Sequence, residues 1–173
     1  MADSFTQIAI HYVFSTKNRQ SLITPDIESR IWRFVGGVTK DNGMVPLAIG
    51  GMPDHLHALL SLPATLSVSD AIQLVKGKSS FGITADHLIE SAFRWQSGYG
   101  AFSVSRSRIR QVKAYINNQK EHHRAMSFKE EYLGLLEAHG ISYPGLFTKK
   151  FSRDQGEVKN AHETHLRALS KHF

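Results

Sequence analysis

His55 and His57 stand two residues apart, and Tyr115 and Gln119 stand four apart much further along the chain. These four side chains have the types and spacing that could do chemistry. In a strand, residues two apart point to one face, so His55 and His57 would stand side by side while Leu56 turns away. Two imidazoles held like that can grip a divalent ion, although the same spacing also suits an ordinary pair of half-exposed strand histidines. On a helix, Tyr115 and Gln119 are one turn apart and must be neighbours. If the amide of Gln119 joined the imidazoles, the neutral set would leave open positions and suit magnesium or manganese shared with phosphate oxygens. A phenol beside a phosphodiester polarised in that way can attack it, giving a covalent protein–DNA bond and a free 3′ hydroxyl. The bond keeps the phosphodiester energy, so a strand can be cut and rejoined without ATP.

The elements that must position these groups follow from periodicity. Residues 5–15 are β-branched and aromatic and read as a strand, with Ile8, Ile10, Tyr12 and Phe14 on one face. Thr24 and Pro25 suit the start of a helix whose apolar face carries Ile27, Ile31, Phe34, Val35 and Val38. A second strand is expected from Met44 to Ile49. Gly50 to Asp54 reads as the turn joining it, antiparallel, to the strand of His55 and His57, and would leave that pair at an open sheet end. Ser67 and Asp70 resemble a capping box before a second helix through Ala71, Ile72, Leu74 and Val75, with Lys76 to Ser80 as its basic end. Residues 86–93 are weakly helical. Residues 93–105 read as a glycine-punctuated loop entering a strand, its aromatics more often core than base-stacking platforms. From Ser107 to about Met126 the pattern is one long helix buried along Ile109, Val112 and Ile116. A last amphipathic helix from Phe128 to His139 stops at Gly140.

These elements make one domain, residues 1–145, followed by a basic, His-rich extension, 146–173, of unknown role with a hint of helix near its end. A chain of 173 residues is long enough to bury a real core. It contains no cysteine, which excludes a disulfide framework and a thiolate zinc site. No signal-peptide pattern and no run of membrane-spanning length occurs, so a cytoplasmic protein is expected, nucleoid-associated when on DNA, with no membrane partner. The net charge of +6 favours a polyanion. Lys17, Arg19, Lys76, Lys78, Arg94 and Arg108 are the expected contacts to a DNA backbone.

Three motifs occur in order: Gly51-Met52-Pro53-Asp54-His55-Leu56-His57, then Phe93-Arg94-Trp95-Gln96 with Gly98 to Ser105, then Tyr115-Ile116-Asn117-Asn118-Gln119-Lys120-Glu121-His122-His123. Together they resemble the single-tyrosine transposases of the HUH endonuclease superfamily, both the small insertion-sequence enzymes and their REP-associated relatives. The resemblance covers roughly residues 5–145, about the size of one domain. It implies an α+β, ferredoxin-like fold, an antiparallel sheet with helices on both faces. It also implies a homodimer that cuts and rejoins single-stranded DNA at hairpin-flanked ends, using Mg2+ or Mn2+. By that likeness His55 and His57 are paired metal ligands, Tyr115 is the nucleophile that forms a 5′-phosphotyrosine, and Gln119 is the third ligand. His122, on the same expected helix face, competes with Gln119 for that place. In several relatives the tyrosine helix is exchanged between subunits, so the partner chain could supply Tyr115. Two other readings compete: a domesticated hairpin-binding protein with little turnover, and a metal phosphodiesterase that uses water and ignores Tyr115.

Overall fold

The computed structural model describes residues 5–143; the expected extension at 146–173 lies outside them. The chain divides into two compact units, Met1–Glu121 and His122–Phe173.

In the first unit four strands, β1 (Ile8–Ser15), β2 (Val45–Met52), β3 (His55–Leu62) and β4 (Gly100–Ser103), form one antiparallel sheet in the order β2-β3-β1-β4. Helix α1 (Glu28–Asp41) links β1 to β2, and α2 (Val68–Ala85) links β3 to β4. This β-α-β-β-α-β order with β1 and β3 central is the ferredoxin-like arrangement, as expected. Strands β1 and β3 are buried along nearly their whole length, which requires cover on both faces. On one face Ile10, Tyr12 and Phe14 of β1 and Leu56, Ala58 and Leu60 of β3 pack with Ile31 and Val35 of α1 and Ala71, Ile72 and Val75 of α2. The two helices themselves meet closely: a β-carbon on Gly82 would overlap the Phe34 ring. Helix α3 (Ile109–Asn117) lies on the other face, against β2 and β3.

Several expected boundaries move. Strand β2 runs to Met52, so Gly50 and Gly51 belong to the ladder, paired with His57 and Leu56, and only Pro53 and Asp54 make the turn. Neither glycine has a positive φ. They are needed for closeness instead, since a β-carbon on Gly51 would overlap the His55 carbonyl oxygen. Thr24 and Pro25 precede α1 in a turn, and the helix starts at Glu28 with no side-chain cap. Ser67, by contrast, caps α2 as its sequence suggests, accepting the Asp70 backbone N–H at 3.1 Å. That helix continues straight through Lys76 to Ser80, because Ser79 turns inward and its hydroxyl accepts the Trp95 indole N–H at 2.8 Å. Residues 86–93 are not helical; His87 takes a left-handed φ of 48° as the chain leaves α2. Phe93, Trp95 and Phe102 are buried, so these aromatics are core.

The long helix expected from Ser107 is broken in two. After a 3-10 turn at Arg106–Arg108, α3 ends at Asn117 and α4 (Gln119–His122) begins beyond Asn118. Asn118 has φ −100° and ψ 19°, and its N–H is shared between the carbonyls of Ala114 and Tyr115. Asparagine favours such helix exits because its side chain competes with the backbone for hydrogen bonds.

In the second unit α5 (Phe128–Ala138) starts at a complete capping box: Ser127 accepts the Glu130 N–H while the Glu130 carboxylate accepts that of Ser127. Leu135 and Leu136 are buried as expected, with Phe128 and Tyr132 half-buried, and Gly140 ends the helix at φ 65°. His123 steadies the approach, with Nδ1 2.8 Å from the Met126 carbonyl and Nε2 3.0 Å from the buried Glu131 carboxylate.

Candidate metal and tyrosine site

Alternation along β3 turns Leu56 and Ala58 into the apolar core and sends His55 and His57 to the face that carries α3. Their ring centroids are 5.3 Å apart. The rings are 1% and 0% exposed, which rules out a half-exposed strand pair and also corrects the expectation of an open sheet end. The cover over His57 comes in part from α3, whose Tyr115 ring stands edge-on to it at 5.9 Å between centroids.

Helix α3 reaches that depth because β2 offers no side chain there. Gly50, the ladder partner of His57, lies under Ile116, the residue after Tyr115. Of the three tyrosines in this unit, Tyr12 points to the opposite face and donates its hydroxyl to the Val68 carbonyl, and Tyr99 is 40% exposed. Tyr115 is the phenol packed beside the histidines, itself buried. Gln119 follows beyond the Asn118 break, and its side chain is buried too.

Both imidazoles are held from behind. Asp54, in the β2–β3 turn, accepts the His55 Nδ1–H at 2.7 Å, and its other oxygen accepts from Arg19 at 2.8 Å. Burial works against the Asp54 charge, but the His55 ring and the Arg19 guanidinium hold its pKa down at about 2. Asp54 is therefore a carboxylate that can only accept, so His55 carries a proton on Nδ1, and in the neutral ring the lone pair is on Nε2. His57 Nδ1 lies 2.9 Å from Nε2 of His11, a buried residue of β1. His11 is the residue that reading by sequence missed.

The expected DNA-contact residues fall into two groups. Lys17, Arg19 and Arg94 gather beside the Asp54 turn: the Lys17 N–H donates to the Arg94 carbonyl, Arg19 pairs with Asp54, and all three are exposed. Lys76, Lys78 and Arg108 are engaged elsewhere. The Lys76 ammonium donates to the carbonyls of Gln96 and Gly98 at 2.7 and 2.6 Å, Lys78 to the Asn42 side chain, and Arg108 to Gln111.

Residues 4–119 match the family described as Transposase IS200 like. The chain belongs to the IS200-like transposase family. The match takes in β1 to β4, the histidine strand, Tyr115 and Gln119. Among curated proteins this IS200-like chain is similar to the ISDra2 transposase TnpA of Deinococcus radiodurans, 23% identical over 120 residues, covering 66% of the chain and 86% of that protein. Its fold is similar to a crystal structure from Deinococcus radiodurans R1 described as a transposase, with a TM-score of 0.54 at 22% identity, covering 69% of this chain and 95% of that one. A REP-associated tyrosine transposase bound to a REP hairpin gives a TM-score of 0.51 at 16% identity, covering 71% and 74%. No helix among the described residues is long and apolar enough to cross a membrane.

Proposed function

We propose that this IS200-like transposase cuts and rejoins single-stranded DNA at hairpin-flanked ends through a 5′-phosphotyrosine on Tyr115. The observation that carries the reading is the packing of the Tyr115 ring against His57 within one chain, 5.9 Å between centroids. A REP hairpin bound to a relative of the same fold supports hairpin DNA as the substrate class. By likeness to the family the acting species is a homodimer; the packing of Tyr115 on His57 within one chain supports a phenol that serves the histidines of its own chain.

Two buried imidazoles, His55 with Asp54 behind its Nδ1, offer donors that suit a divalent ion, and the Gln119 amide, also buried, would complete a neutral set with them. Mg2+ or Mn2+ bound there would polarise the scissile phosphate. His55, His57 and Gln119 would hold that ion, the last on the strength of its motif position. Because the imidazoles are buried, side chains over the pair must part to admit the phosphate. Tyr115 then bonds through its phenolic oxygen to phosphorus as the bond to the 3′ oxygen breaks, and the phenolic proton ends on that departing oxygen. Attack by another 3′ hydroxyl reverses the step, returning the proton to Tyr115 and resealing the strand. Lys17, Arg19 and Arg94, beside the Asp54 turn, would steer the backbone toward the site.

The test is a denaturing gel of a labelled hairpin-bearing single strand incubated with the protein and Mn2+. The parent should form a covalent adduct, and Tyr115→Phe should form none. An equal adduct from Tyr115→Phe removes the phenol from the reaction. Free 5′-phosphate products with no adduct would instead assign the cut to water, and tight binding without any cut would make this a hairpin-binding protein.

A further inference from the structure

The histidine pair is braced differently on its two sides. Behind His55 stands a carboxylate, which leaves one proton position. Behind His57 stands another imidazole, and the 2.9 Å contact between His11 Nε2 and His57 Nδ1 permits two. If His11 donates, the neutral His57 ring carries its proton on Nε2 and has no lone pair there. If His57 donates from Nδ1, its Nε2 lone pair is ready for an ion, and the proton of His11 is on its own Nδ1.

We infer that His11 is a positioning residue that accepts the Nδ1–H of His57, doing for His57 what Asp54 does for His55, so that both rings bind the ion through Nε2. This rests on the reading of His55 and His57 as metal ligands. Register carries the placement. His11 pairs with Leu59, two residues along β3 from His57, so the contact runs diagonally across neighbouring strands on one face. His11 is 0% exposed and its ring is stacked with His57 at 5.1 Å, between Phe102 at 6.2 Å and Tyr115 at 6.3 Å. A titratable ring sealed in that position between aromatic neighbours serves no surface role. Its Nε2 lies 2.9 Å from Nδ1 of His57, the nitrogen whose proton sets the His57 tautomer. Partners behind a ligating histidine fix its tautomer and orientation, and losing one costs roughly 10–100-fold in metal affinity.

The experiment uses the full chain and two readouts that need no DNA. Long-range 15N–1H correlation spectra of the metal-free protein should show the His57 proton on Nδ1. Calorimetric titration with Mn2+ should show affinity falling by about 10–100-fold in His11→Phe, which keeps an aromatic ring but cannot accept. His11→Gln, whose side-chain oxygen can reach the same place, should recover most of that loss. A purely packing role predicts the reverse order, with Phe close to the parent and Gln worse. A proton on Nε2 of His57, or parent-like Mn2+ affinity in His11→Phe, overturns the inference. If His11→Phe does not fold, the parent spectrum alone decides. A parent that binds neither Mn2+ nor Mg2+ sinks the metal reading and this inference together, whereas a parent that binds while His11→Phe binds equally sinks this inference alone.

Discussion

Gly50 and Ile116 meet where no side chain fits: a β-carbon on Gly50 would lie 2.7 Å from the Ile116 carbonyl oxygen and 3.2 Å from its Cγ2. The contact sets the depth of α3, and with it the place of Tyr115 beside His57. Gly50→Ala should push the helix outward, costing about 1–3 kcal/mol of stability. A displacement on the order of 1 Å can cost about 100-fold in rate, so adduct formation should fall much further than Mn2+ affinity. Denaturant melts, calorimetry and the adduct gel check this; parent-level cleavage would mean that α3 does not set the geometry.

Tyr115 and His57 touch within one chain, so catalysis should not need a phenol from elsewhere. Mixing Tyr115→Phe protein with protein carrying both His55→Ala and His57→Ala should give no adduct on either chain. Restored adduct on the histidine-deficient chain would show that the helix is exchanged between subunits.

Removing metal should separate cutting from holding. A chelator should abolish the adduct, and added Mn2+ should restore it. Affinity for the hairpin strand should stay within about a factor of ten, because basic residues on phosphates supply most nucleic-acid affinity. An adduct that persists in chelator would contradict the metal role of the two imidazoles.

The basic residues should behave as two classes. Lys17→Ala and Arg94→Ala should each weaken binding to all sequences and reduce the slope of log affinity against log salt by about 1. Lys76→Ala should leave that slope unchanged and instead loosen the loop at Gln96 and Gly98, at about 1 kcal/mol, by loss of two charged hydrogen bonds. Salt titrations of binding and thermal melts distinguish the two.

What could be read from the sequence was local. The two-residue alternation correctly sorted Ile8, Ile10, Tyr12 and Phe14 onto one face, and the Ser67 cap is chemistry between near neighbours. Gly50 and Gly51 misled because glycine beside Pro-Asp is the usual vocabulary of a turn, whereas their use here is to let α3 and the adjoining strand come close. The same locality hid His11. The signal was present, since Ala9, His11 and Val13 form the other face of β1. Only the pairing of β1 with β3, residues far apart in sequence, reveals that this face is the one His57 uses. Lys76 and Lys78 looked like a phosphate-binding helix end because the inward turn of Ser79 toward Trp95 could not be foreseen.

The strand order has a bearing on when the protein becomes dangerous to DNA. The β2–β3 hairpin closes over a very short stretch of chain, while β4 begins 43 residues and α3 begins 52 residues after His57. Loop closure over so long a stretch comes late. If Tyr115 is the nucleophile proposed above, a nascent or prematurely terminated chain carries both imidazoles without the attacking phenol, and cutting waits until translation has passed Tyr115.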